Sequence, residues 1–155
     1  MESFHRDKFI KLGIETRFVQ DNESMSQKGV LRGLHFQRNP WAQGKLVRVI
    51  QGSVMDIAVD IRGSSPYFGK WVSINLSGEN KWLCWIPAGF AHGFVTLENN
   101  TIFSYKCTNV YNKESEGSIR WNDPQIGVDW GIQDPSLSGK DAVAPLLKEV
   151  ENLFP

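Results

Sequence analysis

The stretch GKLVRVIQGSVMDIAVDIRG, Gly44 to Gly63, decides the fold class. Two runs of β-branched and aliphatic residues, 44–51 and 53–62, flank the turn pair Gln51-Gly52. In the second run Met55, Ile57, Val59 and Ile61 fall on one face of an extended chain, and Asp56, Asp60 and Arg62 fall on the other. A period of two marks a strand whose neighbouring side chains meet different surroundings, and a glycine break between two such runs separates consecutive strands.

Working outward, the same texture recurs. It predicts further strands near 17–21, 29–37, 69–76, 82–86, 93–98, 101–109 and 117–121. The breaks carry turn residues: Gly63-Ser64-Ser65-Pro66, Ser77-Gly78-Glu79-Asn80, Pro87-Ala88-Gly89 and Glu98-Asn99-Asn100. Many short strands at this spacing indicate a sandwich or barrel, and the absence of a repeat of about 20–50 residues argues against propellers and solenoids. The ends differ. Phe9 and Leu12 fit a short helix closed by Gly13, and Ser138 suits the cap of a short helix carrying Leu146, Leu147 and Val150 in the tail, 138–152. The expectation is one mostly β domain spanning 1–155, a jelly roll with a few short helices.

A chain of 155 residues can bury a core without staples, and 41% hydrophobic with 12% aromatic residues is a globular composition. Seventeen basic and seventeen acidic residues cancel, so bulk charge gives no reason to expect nucleic acid or an anionic membrane as a partner. An anionic ligand would need a local cluster of cations. Cys84 and Cys107 sit in apolar runs outside any CxxC pattern, which predicts core thiols and fits a reducing, cytoplasmic setting. No apolar run of signal or membrane-spanning length is present, so neither export nor membrane insertion is expected.

The chemistry centres on GVLRGLHFQ, Gly29 to Gln37. A metal-binding jelly roll would show an HxH pair followed by a carboxylate and a third His. Here Leu34 and Phe36 flank a lone His35, so no metal site is expected. The default for such a residue is a hydrogen-bonded structural histidine. Three neighbours weigh against that default: Arg32, Lys45 ten positions on, and Tyr105 in the apolar run IFSYKC, where a buried phenol needs a partner. Strict alternation places Arg32 and His35 on opposite faces, and they converge only if Gly33 permits a bulge or twist. AGFAHGF, Ala88 to Phe94, reads as a tight loop entering a strand, with His92 either structural or lining a pocket mouth. Spacing alone gives a His/Lys/Tyr/Arg site without a substrate.

Longer motifs supply one. FVQDNESMSQKGVLRGLHFQ, then QGKLVRVIQGSVMDIAVDIRGSSPYFGKW, LSGENKWLCWIPAGFAHGF, YKCTNVYNKESEGSIRWNDPQIGVDW and LSGKDAVAPLL run in order from Phe18 to Leu147. Together they resemble the dTDP-4-dehydrorhamnose 3,5-epimerase family. The resemblance implies a cupin-like jelly roll, a homodimer, and no metal or cofactor. The implied substrate is a small molecule, dTDP-4-dehydro-6-deoxy-D-glucose, whose C3 and C5 are inverted to give dTDP-4-dehydro-L-rhamnose. Matched motif by motif, it implies His35 as catalytic base, Asp141 as its carboxylate partner, Tyr105 as general acid and Lys45 beside the C4 oxygen. It also implies Gln20, Asp21, Asn22, Arg32, His92, Tyr111, Glu116 and Lys140 as substrate-binding positions. A C3-only epimerase of a related 4-keto sugar nucleotide, and a non-catalytic jelly roll that binds sugar nucleotides, are the alternative readings. Family members begin with a further F-x-D-x-R-G-x-F-x-E segment whose end Met1-Glu2-Ser3-Phe4 resembles. The resemblance therefore leaves base recognition and strand exchange between subunits open.

Overall fold

The computed structural model describes residues 1–14, 17–151 and 153–155; position 152, at the end of the expected tail, lies outside the described residues. After a short helix, α1 (Arg6–Lys11), come nine strands: β1 (Gln20–Ser26), β2 (Leu31–Gln37), β3 (Lys45–Gln51), β4 (Ser53–Asp60), β5 (Trp71–Ser77), β6 (Leu83–Ile86), β7 (Phe90–Thr96), β8 (Thr101–Cys107) and β9 (Glu116–Ser118). A four-residue helix, α2 (Gly139–Ala142), and a 3₁₀ turn (Leu147–Glu149) follow. The strands form two antiparallel sheets, ordered β1-β8-β3-β6 and β5-β4-β7-β2-β9.

Alternation in β4 has the predicted phase, yet both faces are covered. Ile57, Val59 and Ile61 join Leu34, Phe36, Val95, Ile119, Ile126, Trp130 and Leu147 in one apolar cluster. That cluster lies on the outer face of the five-stranded sheet, beneath the chain that follows β9. Bridges from Val30 to Ser136 and from Arg62 to Phe154 tie this covering layer down. The opposite face of β4 carries Val54, Asp56, Ala58 and Asp60. It looks into the space between the sheets, where Val47, Val49, Ile86, Phe94 and Phe103 form a second cluster. Asp56 and Asp60 are both buried, against the usual preference of carboxylates for water.

Three expectations need correction. The strand placed at 17–21 starts at Gln20 and continues to Ser26. QDNESMS has no apolar alternation because its inward residues are themselves polar, so the periodic signal vanishes while pairing with β8 holds the strand. The strand placed at 93–98 begins at Phe90, so His92 is a strand residue rather than a loop residue. In the tail, Ser138 does cap a helix, its Oγ accepting from Asp141 N at 3.1 Å, but that helix ends at Ala142. Pro145 cannot continue it, and Leu146, Leu147 and Val150 lie on or beside the separate 3₁₀ turn.

Candidate active site

His35 sits on β2 beside His92 of β7 and Ser118 of β9. The register of β2 against β7 shifts between Arg32 and His35: Arg32 faces Phe94, and His35 faces His92. Phe94 and His92 are two residues apart on one strand and share a face, so Arg32 and His35 share it too, although three positions separate them. Gly33 makes this shift with φ of +130°. A Cβ there would meet Gly93 Cα at 2.6 Å, so a side chain is excluded sterically as well as conformationally. The condition set by the sequence spacing is met by a register shift at one glycine.

His35 Nε2 and Asp141 Oδ1 are 2.5 Å apart, with Asp141 2% exposed and the imidazole 30% exposed. A carboxylate is an acceptor, so Nε2 carries the proton and Nδ1 bears the lone pair. Burial pushes the Asp141 carboxyl up. Hydrogen bonds from His35, Ser138 and the Gly33 backbone, with the imidazole charge, outweigh it and hold the carboxyl below its ordinary value. Asp141 reaches this position because α2 packs on β2 with Ser138 fixing its first turn.

Tyr105 lies on β8, in the other sheet, with its ring packed into the cluster between the sheets. It therefore approaches the same interior from the wall opposite His35. Burial pushes its phenol up, with Cys107 adding to the shift and Arg32 opposing it. Lys45, the first residue of β3, stands beside Cys107, and its Nζ is 5.8 Å from the Tyr105 ring centroid. Burial pushes its ammonium down. Among the described residues no carboxylate lies within ion-pair distance of it.

Around this centre the predicted binding residues divide. His92 is buried rather than at an open mouth, and its Nε2 is 2.8 Å from Asp56 Oδ2. Arg32 is exposed, and its guanidinium donates to Ser26 Oγ at 3.2 and 3.3 Å. Gln20 and Asn22 point inward from β1, linked to each other at 3.0 Å. Asp21, between them, points outward and pairs with Lys106 at 2.8 Å, so its side chain does not join the group. Tyr111, Glu116 and Lys140 form a rim: the Tyr111 hydroxyl donates to Glu116 Oε2 at 3.2 Å, and Lys140 Nζ pairs with Glu116 Oε1. Burial pushes the Glu116 carboxyl up, but Lys140, Tyr111 and His35 together bring it below its ordinary value.

Sequence reasoning missed Asp56 and Gln37. The signal for Asp56 was present: an Asp amid apolar residues on the face opposite Ile57, in a strand long enough to be covered on both sides. A cavity of 910 Å³ lies elsewhere, between α1 and the outer face of the four-stranded sheet, lined by Phe4, Arg6, Arg17, Phe18 and Lys106 among others.

Two packed antiparallel sheets, one carrying an imidazole–carboxylate pair and the other an inward-facing phenol, define a cupin-like jelly roll that presents groups able to exchange protons. The dTDP-4-dehydrorhamnose 3,5-epimerase family model matches residues 1–149, and the chain belongs to that family. It is 59% identical over 150 residues to the dTDP-4-dehydrorhamnose 3,5-epimerase of Salmonella typhimurium, covering 96% of this chain and 82% of that one. It superposes with a TM-score of 0.94 on a Legionella pneumophila dTDP-6-deoxy-D-glucose-3,5-epimerase solved with dTDP-4-keto-L-rhamnose, at 55% identity, covering 99% of this chain and 83% of the other. A 3'-monoepimerase of Streptomyces bikiniensis, solved with dTDP-quinovose, shares the fold at a TM-score of 0.89 and 31% identity, covering 95% and 75%.

Proposed function

We propose that this protein inverts C3 and C5 of dTDP-4-dehydro-6-deoxy-D-glucose, giving dTDP-4-dehydro-L-rhamnose. The observation that carries the reading is the His35–Asp141 contact on one wall of an interior whose facing wall presents Tyr105. A hydrogen beside a ketone leaves as a proton because the electron pair spreads onto the ketone oxygen as an enolate. His35 Nδ1, the nitrogen with the lone pair, takes that proton, and buried Asp141 stabilises the imidazolium that forms. Lys45 Nζ donates to the developing C4 oxyanion, a role an amine fills whether neutral or charged. The enolate then recovers a proton from the Tyr105 hydroxyl on the opposite face. The C–H bond broken on one side is remade on the other, and the centre inverts.

Arg32, His92 and Lys140 supply local cations or donors for the diphosphate, which a neutral surface does not. Gln20, Asn22, Tyr111 and Glu116 line the approach, and Asp21, turned outward to Lys106, does not. With the two thiols unpaired, we place the enzyme in the cytoplasm. No helix among the described residues is long and apolar enough to cross a membrane. The homodimer forms through the outer face of the four-stranded sheet, where Met25 (63% exposed) pairs across strands with Ile102 and Ile50 is 40% exposed. Light scattering reads this directly: Met25→Lys with Ile50→Lys is expected to yield monomer, and an unchanged dimer refutes that face.

The test of function is turnover of the 4-keto sugar nucleotide in D₂O, followed by NMR. Deuterium at both C3 and C5 supports the double inversion. Incorporation at C3 alone supports the monoepimerase reading. Binding without incorporation at either centre overturns the catalytic reading.

A further inference from the structure

The loop between β8 and β9 carries Tyr111, and three consecutive residues of its backbone are held by two glutamine side chains. Val110 O accepts from Gln37 Nε2 at 3.1 Å, Tyr111 N donates to Gln20 Oε1 at 2.8 Å, and Asn112 N donates to Gln37 Oε1 at 2.7 Å. Gln37 Nε2 also donates to Trp41 O at 2.6 Å, so one carboxamide joins the β2–β3 loop to the β8–β9 loop. Gln37 is 5% exposed, and both polar atoms of its side chain are engaged by backbone. It lies two positions past His35 on the same strand and the same inward face, opposite Glu116 of β9. The Tyr111 hydroxyl meets that same Glu116.

A buried carboxamide saturated by the backbone of two loops is expensive to replace. Removing it leaves Trp41 O, Val110 O and Asn112 N without their partner. A loop whose purpose is only to connect strands has no need of such a clamp at each residue around one aromatic, and Tyr111 itself is 53% exposed, leaving its ring free to meet a ligand. We propose that Gln37 is a positioning residue for nucleotide binding: it fixes the backbone on either side of Tyr111 so that the ring and its hydroxyl stand ready at the rim of the site. Gln20, placed by the family resemblance among substrate contacts, acts here as the second half of the same clamp. The inference rests on the proposed role of Tyr111, and it acts through that residue rather than on the proton-transfer centre.

The test is a double-mutant cycle read by calorimetric affinity for dTDP, which needs no turnover and so does not depend on whether the sugar is epimerised. Gln37→Leu is expected to weaken dTDP binding about tenfold, as loss of preorganisation does when a contact loop must be ordered on binding. With substrate, KM rises by a similar factor while kcat stays within about threefold, because His35, Asp141 and Tyr105 are untouched. Tyr111→Ala alone weakens binding to a similar degree. In the Tyr111→Ala background Gln37→Leu adds no more than about twofold, the signature of two residues acting as one unit. Multiplied effects of roughly a hundredfold in the double variant overturn the proposal, as does a Gln37→Leu protein with parental affinity. A role confined to holding the fold lowers the melting temperature without this coupling. Should Gln37→Leu fail to fold, Gln37→Glu keeps the acceptor for Asn112 N, loses the donors to Trp41 O and Val110 O, and is read in the same cycle.

Discussion

Asp141→Asn removes one charge from the buried end of the site and leaves its volume almost unchanged. The carboxylate accepts from His35, and the Asp141 backbone N–H donates to Ser138 Oγ. An asparagine has one accepting atom. When the NH₂ of that side chain faces the imidazole, Nε2 meets a donor in place of an acceptor. Nε2 must then accept, which puts the proton on Nδ1 and deprives the base of its lone pair. The charge term adds to this. At an effective dielectric of about 20, opposite charges at the 2.5 Å separation of these atoms attract by roughly 6–7 kcal/mol, and solvent reaching the 30% exposed imidazole reduces that to about 4. About 4 kcal/mol is close to a thousandfold in rate. The expected outcome is a folded protein with kcat lowered ~10³-fold and dTDP affinity unchanged, measured by stopped NMR assays and calorimetry. A variant retaining a tenth or more of parental kcat refutes the assignment of His35 and Asp141 as a working pair.

Further outcomes are open to measurement. Lys45→Met removes the donor proposed for the C4 oxygen and is expected to lower turnover, yet raises stability. The folded chain holds this ammonium below its unfolded value, so the burial cost is fully present at pH below the folded value and fades as pH rises towards the unfolded one. Urea denaturation at pH 6 shows a gain of about 1 kcal/mol that shrinks by pH 10, and a loss at pH 6 contradicts the argument. Asp60, which accepts from Arg62 and Ser65, is held down to about 2, chiefly by the Arg62 hydrogen bond. Its stabilisation is present above the unfolded value near 4 and is lost as pH falls towards 2, so Asp60→Asn flattens the acid limb of the stability profile over that window. Thr96 carries a buried hydroxyl with no hydrogen-bond partner among the described residues, and Thr96→Val is expected to raise stability by about 1 kcal/mol, read by thermal denaturation. Gly33→Ala, strained at φ +130° and driven into Gly93, gives a protein that fails to fold or loses all turnover, checked by circular dichroism and by the D₂O exchange assay.

Most of the sheet framework was legible because β3, β4 and β8 have apolar runs bounded by turn residues, and the motifs around His35, Tyr105 and Asp141 were legible as a family pattern. What was hidden shares one cause. β1 was cut short, and Asp56 and Gln37 were passed over, because polar residues turned into the protein and bonded there look the same in sequence as polar residues that face water. Periodicity reports that two faces differ, and it is silent about which solvent each face meets. The convergence of Arg32 with His35 was stated as a condition on Gly33, and only the register shift against β7 shows how it is met. The broken tail helix is a different kind of miss: Pro145 stood in plain view and its veto on a continuous helix outranked the apolar spacing of Leu146, Leu147 and Val150.

The two apolar clusters lie on opposite sides of one sheet, and the inner one shares the space between the sheets with the side chains proposed to react, His35 and Tyr105. Robustness and chemistry are thereby housed in separate compartments. Repacking Ile119, Ile126 or Leu147 on the outer side offers a dial for heat tolerance that leaves the sugar's surroundings as they were, whereas any gain sought by greasing the inner side must be taken from the pocket itself.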